Sequence, residues 1–423
     1  MKKFFFIHLF VIFSYSCVKE RKDDNIIRQI DNSGAVIAAP YIWKTSLHLK
    51  EPVSNGNLKF PVMYHDNVLV PISNGEEGNY LALLNTIDGQ VIWKWRDIFL
   101  ENEYAEVTYY HQYKNLLTYQ NGSRSYCINM DNGETHWKIR RDRSFNIQLT
   151  SSGKDFFMFG PDTIDIYGDR FINFTNIAYK IDIENGDIVE KLAANFTYEQ
   201  PYCARGVDFV NPVPQREHLL LVSYFENLPD WIMQSYFGLY DTNLAEWVWD
   251  KVLITPPKIN NIVDYPPQIL NDRIYAVVDN HIVCHDLTTG IQIWKRGFTN
   301  NFLFSGFIIE DGRLIANNED CFAVCLELIT GQELWRVNTA GTSGRMSYLN
   351  GIVYFAGGSD DKLFAIEATT GKIVWRINPK MIEEDNWAQF KYNAVYTLPA
   401  KEDQPAKVIA LTEMYAYCFE AYR

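Results

Sequence analysis

Along most of the chain, short runs of apolar and aromatic residues alternate with polar stretches rich in Asp, Asn, Thr and Gly. Spacing and composition are those of strands and turns, and helical periodicity is nearly absent. The polar stretches recur in one frame. Aligned on glycine, the chain reads Asn85-Thr-Ile-Asp-Gly89 followed by Trp93, and Asn129-Met-Asp-Asn-Gly133 followed by Trp137. The same frame gives Asp286-Leu-Thr-Thr-Gly290 with Trp294, Glu327-Leu-Ile-Thr-Gly331 with Trp335, and Glu367-Ala-Thr-Thr-Gly371 with Trp375. Two copies are degenerate. Asp182 to Gly186 keeps the turn but has Glu190 where Trp is expected, and Asp241 to Ala245 loses the glycine but keeps Trp249. A period of this length is the mark of a repeat architecture.

Each element of the frame has a physical cause. Asp88-Gly89, Asn132-Gly133 and Asn185-Gly186 are hairpin signals, because glycine adopts positive φ without a Cβ clash. The Asp, Asn or Glu four residues earlier can accept hydrogen bonds from turn amides. The Trp after the turn is a large apolar anchor, removing roughly 150–250 Å² from water when buried. Two more strands precede each turn, as in the runs beginning at Arg313 and Cys321. A four-stranded antiparallel unit of roughly 40–50 residues is a propeller blade. Trp43, in Tyr41-Ile-Trp-Lys, reads as the outer strand of a blade whose other three strands come from the C-terminus: Val395-Tyr-Thr-Leu, Val408-Ile-Ala-Leu and Tyr415 to Glu420. Seven internal units and one closed by both termini predict an all-β, eight-bladed propeller over residues 41–423, closed so that no long sheet edge stays open.

Composition narrows the function. Hydrophobic residues are 47% and aromatics 15%, enough for a large core, and the net charge of −13 argues against a phosphate-binding role and hence against nucleic acid. Residues 1–16 read as a secretory signal: Met1-Lys2-Lys3 is basic, Phe4 to Phe13 is apolar and too short to span a bilayer. Ser14-Tyr15-Ser16-Cys17 resembles the lipobox of bacterial lipoproteins, with Ser14 departing from the usual Leu; the resemblance implies lipidation of Cys17. The charged stretch that follows, residues 17–40, reads as a flexible tether. Its Lys19-Glu20 pair is similar to the surface-export signal of Bacteroidetes lipoproteins.

The pattern acidic-x-x-Thr-Gly-x-x-x-Trp resembles the quinoprotein-type propeller repeat. That repeat is found in pyrroloquinoline-quinone (PQQ) dehydrogenases and in the propeller lipoprotein of the outer-membrane barrel-assembly machinery. In that family the Trp docks on the neighbouring blade around the glycine, so Gly89, Trp93, Gly133, Trp137, Gly290, Trp294, Gly331, Trp335, Gly371 and Trp375 are expected to be structural. The resemblance carries the fold further than the function.

Seven cysteines suggest disulfides in an exported protein. Yet Cys127, Cys284, Cys325 and Cys418 share one frame position in four different blades, so they are expected to be free buried thiols; Cys203 lies in irregular sequence. His281, Cys284 and His285, like Cys321 and Cys325, resemble metal pairs, but strand residues four apart lie about 13 Å apart along the strand, too far for one ion. No metal and no cofactor is expected. PQQ enzymes of similar repeat carry adjacent cysteines and Ca²⁺ ligands, which this chain does not match, and Asp264, Glu383 and Glu384 read as loop charges.

Length variation falls between second and third strands, as at Gly160 to Arg170 and Asn227 to Trp231, and between blades, as at Thr255 to Pro267 and Asn378 to Trp387. Both connections leave a blade on the same face. Aromatics on those segments, Trp231, Tyr236, Phe237, Tyr265 and Trp387, are the candidate partner-binding residues. The expected function is an outer-membrane, lipid-anchored scaffold for protein partners, with membrane contact through the anchor only. Carbohydrate recognition by the loop aromatics and a PQQ-dependent or lyase-type enzyme are the alternatives.

Overall fold

The computed structural model describes residues 32–47, 62–74, 78–99, 110–121, 123–141, 146–147, 155–159, 176–193, 205–228, 232–259, 263, 265–302, 305–341, 343–358, 361–383, 388–391 and 395–422. Its strands form eight antiparallel sheets. Blade five shows the unit: Gln268–Leu270, Arg273–Val278, His281–Asp286 and Gln292–Gly297, each paired with the next. Blade four adds a short fifth strand, Lys258–Ile259, paired with Ile232–Asp241. Blade eight is shared by the termini, with Tyr41–Ser46 pairing on Tyr415–Glu420 outside Lys407–Leu411 and Val395–Leu398. The only helical turn among the described residues is Pro379–Met381.

Burial follows position in the blade. The second and third strands are covered on both faces by neighbouring blades, so Arg273–Val278 and His281–Asp286 are buried nearly throughout. An outer strand such as Glu134–Arg140 alternates exposed and half-buried residues. The core is accordingly split into layers between blades. Eight clusters are present, one joining each neighbouring pair; Ile315 and Trp335 of blade six, for example, pack with Phe355 and Ile366 of blade seven. The first strands face the axis, where those of blades six, seven and eight approach one another.

The glycine turns take the predicted form. Gly89, Gly133, Gly186, Gly290, Gly331 and Gly371 have φ between 70° and 75°. Each donates its N–H to the carbonyl four residues back, at 2.8–2.9 Å. Asp286 Oδ1 accepts from the Thr289 N–H and hydroxyl, both at 2.8 Å, and Glu327 caps Thr330 in the same way. First and second strands are joined by equally tight turns with positive φ, at Asn271-Asp272, Asp311-Gly312 and Asn350-Gly351. Two sets of short turns therefore share one face, and the longer connections share the other.

The stretch expected to run as a tether as far as Pro40 is, from Asn32, hydrogen-bonded to blade seven. Val36 forms a parallel bridge with Trp375.

Candidate functional site

Two constructions bear on function: the girdle that makes the ring rigid and the mouth at its axis. In the girdle, six Trp side chains donate the indole N–H to a carbonyl three residues before the next blade's turn position. Trp43 reaches Thr86 O at 3.0 Å, Trp93 reaches Met130 O at 3.0 Å, and Trp137 reaches Ile183 O at 2.6 Å. Trp249 reaches Leu287 O at 3.0 Å, Trp294 reaches Leu328 O at 3.3 Å, and Trp335 reaches Ala368 O at 2.9 Å. The indole lies over the glycine, so a Cβ on Gly89, Gly133 or Gly331 would stand 2.6 Å from a ring atom. Glycine is thus needed twice, for its φ and for this approach. The cross-strand partner of each Trp is one of the framed cysteines or another small or apolar residue: Cys127 faces Trp137, Cys284 faces Trp294, Cys325 faces Trp335 and Cys418 faces Trp43.

These four thiols are free and buried, as expected. Burial pushes Cys127, Cys325 and Cys418 up to about 12 and Cys284 up to about 11, so they stay protonated at neutral pH. Cys321 is disulfide-bonded, to a partner outside the described residues. His285 is a satisfied core side chain, with Nδ1 2.9 Å from Gly290 O and Nε2 3.2 Å from Gln292 Nε2. Among the described residues, no group of three or more His, Cys, Asp or Glu could hold a metal.

The mouth is built where the first strands begin. Tyr110 opens the first strand of blade two, Tyr396 lies in that of blade eight, and Tyr265 and Arg345 just precede those of blades five and seven. Arg345 Nη1 donates to the Tyr396 hydroxyl at 3.1 Å, and its guanidinium lies 5.2 Å from the centre of that ring. The phenols of Tyr396, Tyr110 and Tyr265 hold the guanidinium above its ordinary range against the opposing effect of burial. Burial in turn raises Tyr396 and Tyr265, which Arg345 partly offsets. Gly306 of blade six permits the packing: a Cβ there would lie 2.8 Å from Tyr265 and 2.1 Å from Gly344 O. The result is a cation rimmed by three phenols drawn from four blades, on the face that carries the long connections. Phenol and guanidinium groups can bind partners by stacking, by hydrogen bonds and by charge.

Of the candidate partner residues, Tyr265 reaches this mouth. Phe237 does not serve the surface: it is fully buried within Ile232–Asp241, edge-on to His285 in the layer between blades four and five. Tyr236 is half-buried in the same strand and stacks on Tyr224. Trp231 and Trp387 lie outside the described residues, as do Cys17, Asp264 and Glu384. Glu383 is no loop charge, because it is buried and accepts from the Thr412 hydroxyl at 2.8 Å. The sequence reading missed Arg345, Tyr110 and Tyr396. Each stands at the entry of a first strand, a position that could have been scanned for polar residues in every blade.

Residues 310–381, in blades six and seven, match the family model described as outer membrane protein assembly factor BamB. The chain is an eight-bladed propeller, and the part of it in blades six and seven is similar to the BamB-like, quinoprotein-type repeat. Its fold is similar to that of BamB from Moraxella catarrhalis, at 12% identity and a TM-score of 0.56 over 90% of this chain and 100% of that one. It is also similar to Saccharomyces cerevisiae Sqt1, at 10% identity and a TM-score of 0.60 over 92% and 100%. A third likeness is to the quinohemoprotein alcohol dehydrogenase ADHIIG from Pseudomonas putida HK5, at 10% identity and a TM-score of 0.57 over 94% and 78%. No curated protein matches the chain in sequence. Likeness at such identities speaks for the fold alone.

Proposed function

We propose that this chain is a lipid-anchored scaffold of the bacterial outer membrane that holds protein partners on the face carrying its long connections. The observation that carries this reading is the convergence of Tyr110, Tyr265, Arg345 and Tyr396 at one mouth, opposite a face of short turns. Tight turns of near-identical shape offer little to recognise, whereas aromatic and Arg side chains on a rigid frame are the residues on which interfaces concentrate their energy. Lipidation of Cys17 and an outer-membrane address rest on the N-terminal signal, and the BamB-like repeat agrees with both.

A PQQ-dependent activity is the less favoured reading. The chain has no adjacent cysteines to stack on that cofactor, and the described residues lack an acidic cluster for its metal. Photo-crosslinkers placed at Tyr265 on the mouth side and at Thr288 or Ile329 in the short turns, in cells, test the proposal. Protein adducts are expected at the first position and not at the other two; adducts at the turns alone overturn it.

A further inference from the structure

The outer strand of blade seven differs from the others in what covers it. In six blades the residue before the Trp position, or before Glu190, is apolar and exposed: Ile42 44%, Ile92 48%, Val189 53%, Val248 51%, Ile293 42% and Leu334 38%. Its equivalent in blade seven, Val374, is only 4% exposed. The cover is the chain's own N-terminal segment, laid parallel to Ile373–Ile377 and joined to it by a bridge at Val36. Val36 donates to Val374 O at 2.9 Å, Arg376 donates to Val36 O at 2.8 Å, and Asn378 donates to Ile37 O at 3.0 Å. Asn32 Oδ1 accepts from the Ile373 N–H at 3.1 Å. Ala35 packs on the layer between blades six and seven, and Ala39 on the layer between seven and eight.

The place matters because blade seven adjoins the blade in which the two termini meet. The third strand of blade eight, Tyr415–Glu420, pairs with Tyr41–Ser46 from the other terminus, so the outer strand of this blade is supplied across the ring closure. The Trp375 ring packs edge-on against Tyr354 and Phe419, at 5.6 and 6.1 Å between centres. We infer that residues 32–39 are a strap that secures the ring at the junction of blades seven and eight, through backbone pairing on the outer strand of blade seven. The strap needs no lipid anchor to act, so it stands or falls separately from the function proposed above.

Amide hydrogen exchange on the full mature chain tests it. In the unaltered protein the Arg376 and Asn378 amides are expected to exchange at least about 100-fold more slowly than Lys295, which holds the place of Arg376 on the outer strand of blade five. Val36→Pro removes one donor and fixes φ, which should raise both rates to that of Lys295 and lower the melting temperature. Equal rates at Arg376 and Lys295 in the unaltered chain overturn the strap, whether or not the variant folds. Protection that survives in Val36→Pro overturns it equally.

Discussion

Glu190 stands directly across from Lys180 in blade three, at the register position where Cys284 faces Trp294 in blade five. An opposite-charge pair has taken the place of an apolar one. The turn this Trp would have met, in blade four, is also the one that ends in Ala245, with φ 55°, in place of glycine. With no indole at position 190 the facing turn needs no bare Cα, so the departures at Lys180, Glu190 and Ala245 belong to one junction.

This makes a prediction by double-mutant cycle. Glu190→Trp alone should destabilise by about 1–3 kcal/mol, because the Ala245 Cβ occupies the ring's seat. Combined with Ala245→Gly, the same Trp should be accommodated, giving a coupling of about 1–3 kcal/mol in denaturant melts. Effects that add to within about 0.5 kcal/mol would show that the junction has no Trp seat.

Trp335→Ala should cost roughly 3–5 kcal/mol, since it deletes a buried ring and leaves Ala368 O without its donor. Glu190→Ala should stay within about 0.5 kcal/mol, as exposed substitutions do. Equal losses of melting temperature would contradict the assignment of Glu190 to the Trp position.

Alkaline stability should reveal the framed thiols. Folding raises the Cys127, Cys284, Cys325 and Cys418 thiols through burial, so the native state favours the protonated form. The stabilisation is complete below the unfolded value near ~8.5 and is lost as pH climbs toward the folded values. Melting temperature should therefore fall between about pH 9 and 12. A thiol reagent at pH 8 should label none of the four until denaturant is added; labelling in the native state would refute their burial.

If Cys17 carries lipid, Cys17→Ala should release the protein from membranes or leave an uncleaved precursor, since acyl chains supply about 0.8 kcal/mol per buried CH₂. Unchanged membrane partitioning of that variant contradicts the anchor.

The ring was legible in the sequence because its signals are local. Positive φ at Gly290, the Asp286 cap and the Trp294 anchor all fall within one short segment, and the segment repeats. The mouth was not legible, because Tyr110, Tyr265, Arg345 and Tyr396 meet only through ring closure. Phe237 was misplaced for a related reason. The third strand of blade four starts at Ile232, so an aromatic read as part of an insertion falls on the buried side of a long strand. The strap escaped notice because it pairs residues from opposite ends of the chain and carries no motif.

The central claim is that the face with the long connections holds a protein partner. The most direct measurement is affinity of a partner captured from native membranes for the purified protein, for Trp231→Ala plus Trp387→Ala, and for Asp88→Lys and Asn132→Lys in the short turns. A folded double variant should lose at least about tenfold in affinity, the yield of one or two interface aromatics, while the turn variants keep theirs. The reverse pattern would contradict the assigned face, and dye reduction with an alcohol or sugar after PQQ and Ca²⁺ are bound would contradict the scaffold itself.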